Sequence, residues 1–173
     1  MNLGEQAPGF SLEGTDGNTW SLADFAGAKA LVVVFSCNHC PYVQAYEERL
    51  VALQRDYPDA RLVAINSNDA SSHPEDGFDA MVERAKSKRF NFPYLRDESQ
   101  AVARAYGATH TPHLFVFDGQ RRLAYTGKID DNWQDAGAVK QPFLREALDD
   151  LLAGRAPRVA QTHALGCTIK WKR

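Results

Sequence analysis

The hydrophobic pattern of the chain changes its period near residue 37. Residues 31–35, LVVVF, are continuously apolar and mostly β-branched, which is typical of a strand buried on both faces of a sheet. From Pro41 onward, apolar side chains recur at three- and four-residue steps, at Val43, Tyr46, Leu50, Leu53 and Tyr57. That spacing predicts an amphipathic helix, and Pro41 suits its first turn because the missing N–H would have no partner there.

The other segments alternate between strand-like and helix-like patterns. Asp16-Gly17 and Asp118-Gly119 each separate two extended apolar stretches, which is a strong hairpin signal. The remaining predicted elements are a strand at 61–65, a helix with Phe78, Met81, Val82 and Ala85 inward, an extended link at 92–95, a helix from a cap at Asp97 to Gly107, and a helix from about Pro142 to Leu152. Strands and helices in alternation, followed by an antiparallel hairpin, predict an α/β fold with a mixed sheet between helices.

Length and composition are those of one globular domain. The chain has 173 residues, of which 44% are hydrophobic and 24% charged, so we expect a single domain at 1–173 with a substantial core. The irregular tail at 155–173 carries Leu165, Ile169 and Trp171. Because these side chains are large and apolar, we expect the tail to pack back on the domain.

Charge and targeting signals argue against several classes of partner. The formal net charge is −2, which gives no electrostatic reason to bind nucleic acid or an anionic membrane. No apolar run reaches the length of a membrane span, and the opening MNLGEQAPGF lacks the basic and apolar segments of a secretory signal. We therefore expect a cytoplasmic, monomeric protein with no membrane or nucleic-acid partner.

Two of the three cysteines, Cys37 and Cys40, fall at the junction of the predicted strand and helix. They could form a redox couple or half of a metal site, or one of them could be a reactive thiol while the other has no role in the chemistry. At a helix N-terminus, free N–H groups and the positive end of the dipole favour thiolate over thiol. We expect Cys37 to be the nucleophilic thiolate and Cys40 to attack any mixed disulfide formed on it. His39, between them, is expected to stabilise that thiolate.

Three segments together resemble the thioredoxin-like superfamily, in particular the branch of TlpA/ResA-like thiol-disulfide oxidoreductases and AhpC/TSA redoxins. They are GEQAPGFSLEGTDGNTWSLADFAG, LVVVFSCNHC and YGATHTPHLFVFDGQRRLAYTG. The resemblance implies a three-layer sandwich whose mixed central sheet has an N-terminal β-hairpin extension. It also implies a cis peptide bond between Thr111 and Pro112, facing the cysteines. The backbone of Thr111 would then bind substrate like an added strand.

The sequence departs from this superfamily at three positions near the cysteines. Ser36 stands where thioredoxins carry Trp, and Leu31 stands where they carry a buried Asp. Val43 replaces the acidic residue of the TlpA/ResA-like enzymes. The usual proton acceptor for Cys40 is therefore absent, and a Glu or His from elsewhere is expected to replace it.

A metal-binding protein is the main alternative. His110 and His113 flank Pro112 in HTPH, and in this fold they should lie opposite CNHC. Cys37 and Cys40 with these two histidines would make a two-Cys two-His site, as in a metallochaperone. The two-residue gap between the histidines is shorter than the usual spacing of such ligands.

A thiol peroxidase is a further alternative. Peroxiredoxins surround the attacking cysteine with the pattern Pro-x-x-x-Thr-x-x-Cys. Counting back from Cys37 places Ala30 at the Pro position and Val34 at the Thr position. Counting back from Cys40 places Val33 and Cys37 at these two positions. Neither register fits, so the sequence does not favour peroxide as the substrate.

The sequence thus predicts a thiol-disulfide oxidoreductase that acts on protein disulfides through Cys37 and Cys40. It requires no cofactor, because its electrons would come from another dithiol protein such as a thioredoxin-type donor. Cys167 is a lone thiol in the tail, in LGCTIKW. We expect it near the mouth of Cys37, as an auxiliary thiol that exchanges with Cys37 or completes a metal site.

Overall fold

The computed structural model describes all residues, 1–173. Nine strands and four helices follow one another along the chain. The strands are β1 (Ser11–Gly14), β2 (Thr19–Ser21), β3 (Ala30–Ser36), β4 (Ala60–Asn66), β5 (Tyr94–Arg96), β6 (His110–Thr111), β7 (His113–Phe117), β8 (Leu123–Gly127) and β9 (Cys167–Thr168). The helices are α1 (Pro41–Asp56), α2 (Phe78–Ser87), α3 (Ala101–Tyr106) and α4 (Phe143–Leu152). None of the helices is long and apolar enough to span a membrane.

Seven strands form one mixed sheet in the order β2-β1-β5-β4-β3-β7-β8. Strand β4 runs parallel to both β3 and β5, whereas β7 is antiparallel to β3 and to β8. Strands β1 and β2 form the N-terminal hairpin that extends the sheet on one side. The predicted α/β architecture, a thioredoxin-like three-layer sandwich with a mixed sheet, is therefore confirmed.

The alternating side chains of the central strand β3 divide the core into two halves. Val32 and Val34 pack on the face covered by α1 and α4. Leu31, Val33 and Phe35 pack on the opposite face, against α3 and the N-terminal hairpin. Every residue of β3 is buried, so both faces of this strand are covered, as its uniformly apolar sequence predicts.

Two local predictions differ in detail from the structure. Strand β5 begins inside the segment predicted as an extended link and extends one residue beyond it, and it lies between β4 and β1. Helix α3 begins at Ala101 rather than beside Asp97, yet the Asp97 carboxylate still accepts from the backbone N–H groups of Val102 and Ala103, at 3.4 and 3.0 Å. Asp97 therefore caps the helix through its side chain from a position further upstream.

The tail packs back on the domain, but through fewer apolar anchors than expected. Ile169 is 3% exposed and belongs to the core, whereas Leu165 and Trp171 are 44% and 38% exposed. Gln161 forms a bridge to Thr126 in β8, and β9 pairs with β6. The tail is thus held by backbone pairing, by one buried side chain and by polar contacts such as those of Arg158 with Asp150 and of Lys170 N with Asn68 Oδ1.

Candidate functional site

The junction of β3 and α1 places both cysteines of CNHC at the start of a helix. Cys40 is the N-cap residue of α1 and Pro41 is its first helical residue, as the sequence predicts. Cys37 is 2% exposed and Cys40 is fully buried. The intervening Asn38 is fixed from two sides, because its side-chain N–H donates to Glu75 O at 2.8 Å and its side-chain oxygen accepts from Tyr94 Oη at 2.8 Å.

The peptide bond between Thr111 and Pro112 is cis, as the resemblance implies. It faces the cysteines because β7, which begins directly after Pro112, pairs with β3. Cys37 Sγ lies 3.3 Å from Thr111 Oγ1, and Cys40 Sγ lies 3.3 Å from Thr111 O. Both sulfur atoms therefore contact the residue that the sequence assigned to substrate binding.

The third cysteine joins this site from the tail. Cys167 Sγ lies 2.8 Å from Cys40 Sγ, and Cys167 pairs with Thr111 in the antiparallel ladder of β6 and β9. The sequence analysis predicts Cys167 beside Cys37, but the thiol closest to it is Cys40. Cys37, Cys40 and Cys167 are called the thiol cluster below, and the backbone of His110 and Thr111 is called the docking edge.

The negative charge of the reduced thiol cluster is favoured on Cys40. The pKa of Cys40 is lowered to about 4, first because the Cys37 thiol is a hydrogen-bond donor to its sulfur. The Cys167 thiol and the backbone N–H groups of Val43 and Cys167 act in the same direction and outweigh the opposing effect of burial. The Cys167 thiol itself has a pKa raised to about 11 by burial and by its contact with Cys40.

The pKa of Cys37 is shifted in the opposite direction. Its pKa is raised, first by its hydrogen bond to Cys40, then by burial and by the nearby charge of Asp76, while the Thr111 hydroxyl partly offsets these effects. The hydrogen bond between the two sulfur atoms thus shifts the charge of the reduced pair towards Cys40, and the expectation that Cys37 is the nucleophilic thiolate stays a prediction. The physical reason for the shift is that the Cys40 sulfur lies at the N-cap of α1 in contact with the sulfur atoms of both Cys37 and Cys167, whereas Cys37 lies near the carboxylate of Asp76.

Asp76 is a buried carboxylate beside Cys37 that the sequence did not single out. It accepts from Asn38 N at 2.7 Å, Asn66 Nδ2 at 3.2 Å and Asn68 Nδ2 at 3.0 Å. Cys37, His39 and Asp76 bring one ligating atom each within 4.8 Å of one another. The sequence feature that could have indicated Asp76 is the polar loop after β4, NSNDASSHPEDG. Loops at the ends of buried strands often carry functional groups.

His39 faces the carboxylates more closely than the thiol. Its Nδ1 lies 2.7 Å from Asp76 Oδ2 and 3.7 Å from Glu75 Oε1. The Asp76 contact is out of line for a hydrogen bond, so it acts as an ionic contact when the ring is protonated. The ring also stacks on His73, with centroids 5.7 Å apart. His39 thus belongs to the site, but through Asp76 rather than through a hydrogen bond to Cys37.

The structure does not bring His110 and His113 to the cysteines as metal ligands. The one group of three ligating side chains whose ligating atoms all lie within 4.8 Å of one another consists of Cys37, His39 and Asp76. His113 instead accepts from Thr109 N at 3.2 Å, and its ring packs on Phe115 with centroids 4.5 Å apart. His110 Nδ1 lies 2.8 Å from Thr109 Oγ1. The predicted two-Cys two-His metal site is therefore corrected, since both rings are directed to other partners.

Several solved structures are similar to the whole chain. An uncharacterized conserved protein from Geobacillus kaustophilus is 43% identical, with 99% of this chain and 93% of that chain covered and a TM-score of 0.93. A hypothetical protein from Sinorhizobium meliloti is 40% identical, with 99% and 96% covered and a TM-score of 0.94. A putative thiol:disulfide interchange protein DsbE from Chlorobium tepidum shares the fold at 22% identity, with 89% and 97% covered and a TM-score of 0.66.

Comparison with sequences gives the family. No curated protein matches the chain. The profile of the AhpC/TSA family matches residues 3–126, which include β1 to β7, both cysteines of CNHC and the cis-proline. The chain is therefore a thioredoxin-fold redoxin that belongs to the AhpC/TSA family.

Proposed function

We propose that this protein catalyses thiol–disulfide exchange on protein disulfides, with Cys37 and Cys40 as its redox couple. One observation carries the proposal: both sulfur atoms lie at the N-terminus of α1 and contact Thr111 of the docking edge at 3.3 Å. A helix N-terminus supports a thiolate. An extended backbone edge beside that thiolate can hold a peptide by strand addition, once the peptide displaces strand β9, which pairs with this edge in the structure. The two features together fit a peptide disulfide better than a small oxidant.

The exchange can be written with Cys37 as the thiol that meets the substrate. The Cys37 sulfur attacks one sulfur of the substrate disulfide, the S–S bond of the substrate breaks, and one substrate thiolate leaves. The Cys40 thiolate then attacks Cys37 Sγ, which forms the Cys37–Cys40 disulfide and releases the second substrate thiolate. The substrate gains two electrons and the Cys37–Cys40 dithiol loses two, which a thioredoxin-type dithiol protein would restore.

Asp76 and His39 are proposed to accept the proton of Cys37. The carboxylate is fully buried, and one of its oxygens lies within 4.8 Å of the Cys37 sulfur. Because the carboxylate disfavours the Cys37 thiolate while it is itself charged, uptake of that proton removes the unfavourable interaction. Asp76 would thus be a buried acid beside Cys37, whereas the acid that is missing at positions 31 and 43 would have served Cys40. Buried Glu47 is less suited, because it is held in an ion pair by Arg84.

Peroxide reduction is less well supported as the function. Ala30 and Val34, the positions where a peroxidatic Cys37 would require Pro and Thr, lie inside β3 and are fully buried in the core. Their apolar side chains cannot activate a peroxide. Exchange with a protein disulfide requires only the thiol pair and the docking edge.

Thiol counting tests the proposal. The Cys167→Ser variant, reduced with dithiothreitol and then treated with oxidised glutathione, should lose both remaining thiols as one intrachain disulfide. Each of the variants Cys37→Ser/Cys167→Ser and Cys40→Ser/Cys167→Ser, with a single cysteine, should form only a glutathione adduct or a dimer. Two free thiols in oxidised Cys167→Ser would refute the redox couple.

A further inference from the structure

The docking edge is already occupied by the tail of the same chain. Strand β9 pairs antiparallel with β6, so that Thr111 faces Cys167 and His110 faces Thr168. One residue further, Ile169 N donates to Thr109 O at 3.0 Å. This is the geometry of an added strand, the mode in which an extended peptide binds a free sheet edge.

Gly166 allows this close approach. A Cβ atom at Gly166 would overlap Thr111 O and would lie 2.7 Å from Thr111 C and 3.1 Å from Pro112 N. The backbone of the tail therefore rests directly on the Thr111–Pro112 peptide, which no larger residue at 166 would permit. The next residue, Cys167, is placed against the thiol cluster as a result.

The tail is anchored beyond Cys167, so its position at the site is fixed. Ile169 is buried in the core. Lys170 N donates to Asn68 Oδ1 at 2.9 Å, and Lys170 O accepts from Gln100 Nε2 at 2.9 Å and from Asp69 N at 2.8 Å. These contacts fix the segment that follows Cys167, whose side chain is directed at Cys40.

The thiol cluster has the arrangement that an internal exchange requires. The Sγ atoms of Cys40 and Cys167 are 2.8 Å apart, and a disulfide bond is about 2.05 Å long, so a small movement would join them. Cys40 is the member of the cluster whose sulfur contacts the sulfur atoms of both Cys37 and Cys167. Cys167 is also the one member of the cluster that is not fully buried.

We propose that Cys167 is a third exchange thiol, which replaces Cys37 as the disulfide partner of Cys40. The proposal rests on the Cys37–Cys40 couple of the proposed function and extends it. In this step Cys167 loses its proton to solvent, which reaches it because it is partly exposed. Its sulfur attacks Cys40 Sγ, the Cys40–Cys167 bond forms, the Cys37–Cys40 bond breaks, and Cys37 leaves as a thiolate. The chain remains oxidised by two electrons, so the step needs no further oxidant.

One hydroxyl is placed to stabilise Cys37 as the leaving group, and it partly offsets the burial and the charge of Asp76 that disfavour this thiolate. The Thr111 hydroxyl lies 3.3 Å from its sulfur and can donate to the departing thiolate. The released Cys37 is then a free thiol in a chain that still holds its disulfide. The tail thus acts as a tethered substrate, since it binds the docking edge and exchanges its own thiol with the couple.

Mapping of disulfides in oxidised protein tests the proposal. The full chain and the Cys37→Ser variant are reduced, treated with diamide, quenched in acid, alkylated and mapped as peptides. Cys37→Ser should lose its two thiols within the monomer as a Cys40–Cys167 disulfide. In the full chain, part of the one-disulfide protein should carry the alkyl label on Cys37.

The outcomes separate this proposal from the proposed function. If Cys37→Ser keeps two thiols or yields only dimers, or if the label in the full chain falls only on Cys167, the third exchange thiol is refuted while the Cys37–Cys40 couple stands. If oxidised Cys167→Ser keeps its two thiols, the Cys37–Cys40 couple fails instead. Should Cys37→Ser not fold, the label distribution in the full chain decides alone.

Discussion

His39 Nδ1 lies 2.7 Å from Asp76 Oδ2, and both side chains border the Cys37 sulfur. This pairing supplies a buried acid and a titratable ring beside Cys37, whereas the superfamily's usual acidic positions hold Leu31 and Val43. The acid comes from a loop that follows β4, whereas the histidine comes from the turn between the cysteines. The proton chemistry of Cys37 thus depends on a contact between two separate segments.

Asp76→Asn tests the role of this contact. Without the carboxylate charge the pKa of Cys37 should fall, because that charge is one of the causes that raise it. The rate of disulfide exchange should nevertheless decrease, by about 10²-fold, since a proton acceptor is lost. Both are measured by pH-dependent alkylation of Cys37 and by exchange kinetics. Asp79→Asn, on the exposed face of α2, is the matched control, and equal exchange rates in Asp76→Asn and the control would rule out the proton-acceptor role.

The thiolate of the resting site should titrate far below an ordinary cysteine. Cys40 has a pKa lowered to about 4 by its thiol and backbone donors, whereas a free cysteine has a pKa of about 8.5. The ultraviolet absorbance of one thiolate should therefore persist from neutral pH down to the region of pH 4. It should disappear in Cys40→Ser and remain in Cys167→Ser. A thiolate signal retained by Cys40→Ser and lost in Cys37→Ser would instead place the charge on Cys37.

Gly166→Ala should release the tail from the docking edge. The added Cβ would overlap Thr111 O, so β9 cannot keep its pairing. We expect faster alkylation of Cys167 and faster hydrogen exchange at Ile169 N, which donates to Thr109 O. Gly27→Ala is the control because a Cβ there meets nothing within 4 Å. Unchanged alkylation of Cys167 in Gly166→Ala would mean that the tail does not depend on this close approach.

His113 should make the fold sensitive to mild acid. Burial is the main reason that its pKa is lowered to about 4, and the positive charges of His110 and the N-terminus add to it. A histidine in the unfolded chain has a pKa of about 6.5. The unfolded state thus takes up the proton first, and stability is lost as the pH falls from about 6.5 towards 4. Urea unfolding at pH 7 and pH 5 should show a smaller loss for His113→Asn than for the unchanged protein, and equal losses would contradict the assignment.

The central part of the site was predictable from the sequence, whereas its outer parts were not. The change of period at Pro41 marks the strand–helix junction, and HTP resembles a known cis-proline loop, so Cys37, Cys40 and Thr111 could be placed together. Asp76 could not, because its loop has no period and its partners are distant in sequence. The register of the tail was equally hidden, since it depends on Gly166 and on polar contacts of Lys170. For that reason Cys167 was expected beside Cys37 and is found beside Cys40.

The short strand β5 was also not predictable from the local sequence pattern. Its three residues, Tyr94–Arg96, are too few to display a period, and proline precedes them. They become a strand only because the N-terminal hairpin and β4 offer backbone partners on both sides. Tertiary pairing therefore decides an element that local pattern leaves open.

The central claim, that Cys37 attacks protein disulfides, is tested most directly by trapping the covalent intermediate. The double variant Cys40→Ser/Cys167→Ser cannot resolve a mixed disulfide within the chain. After incubation with a disulfide-bonded protein such as insulin, intact mass spectrometry should show an adduct that dithiothreitol removes, and peptide mapping should place it on Cys37. The absence of such an adduct from the folded double variant would contradict the account.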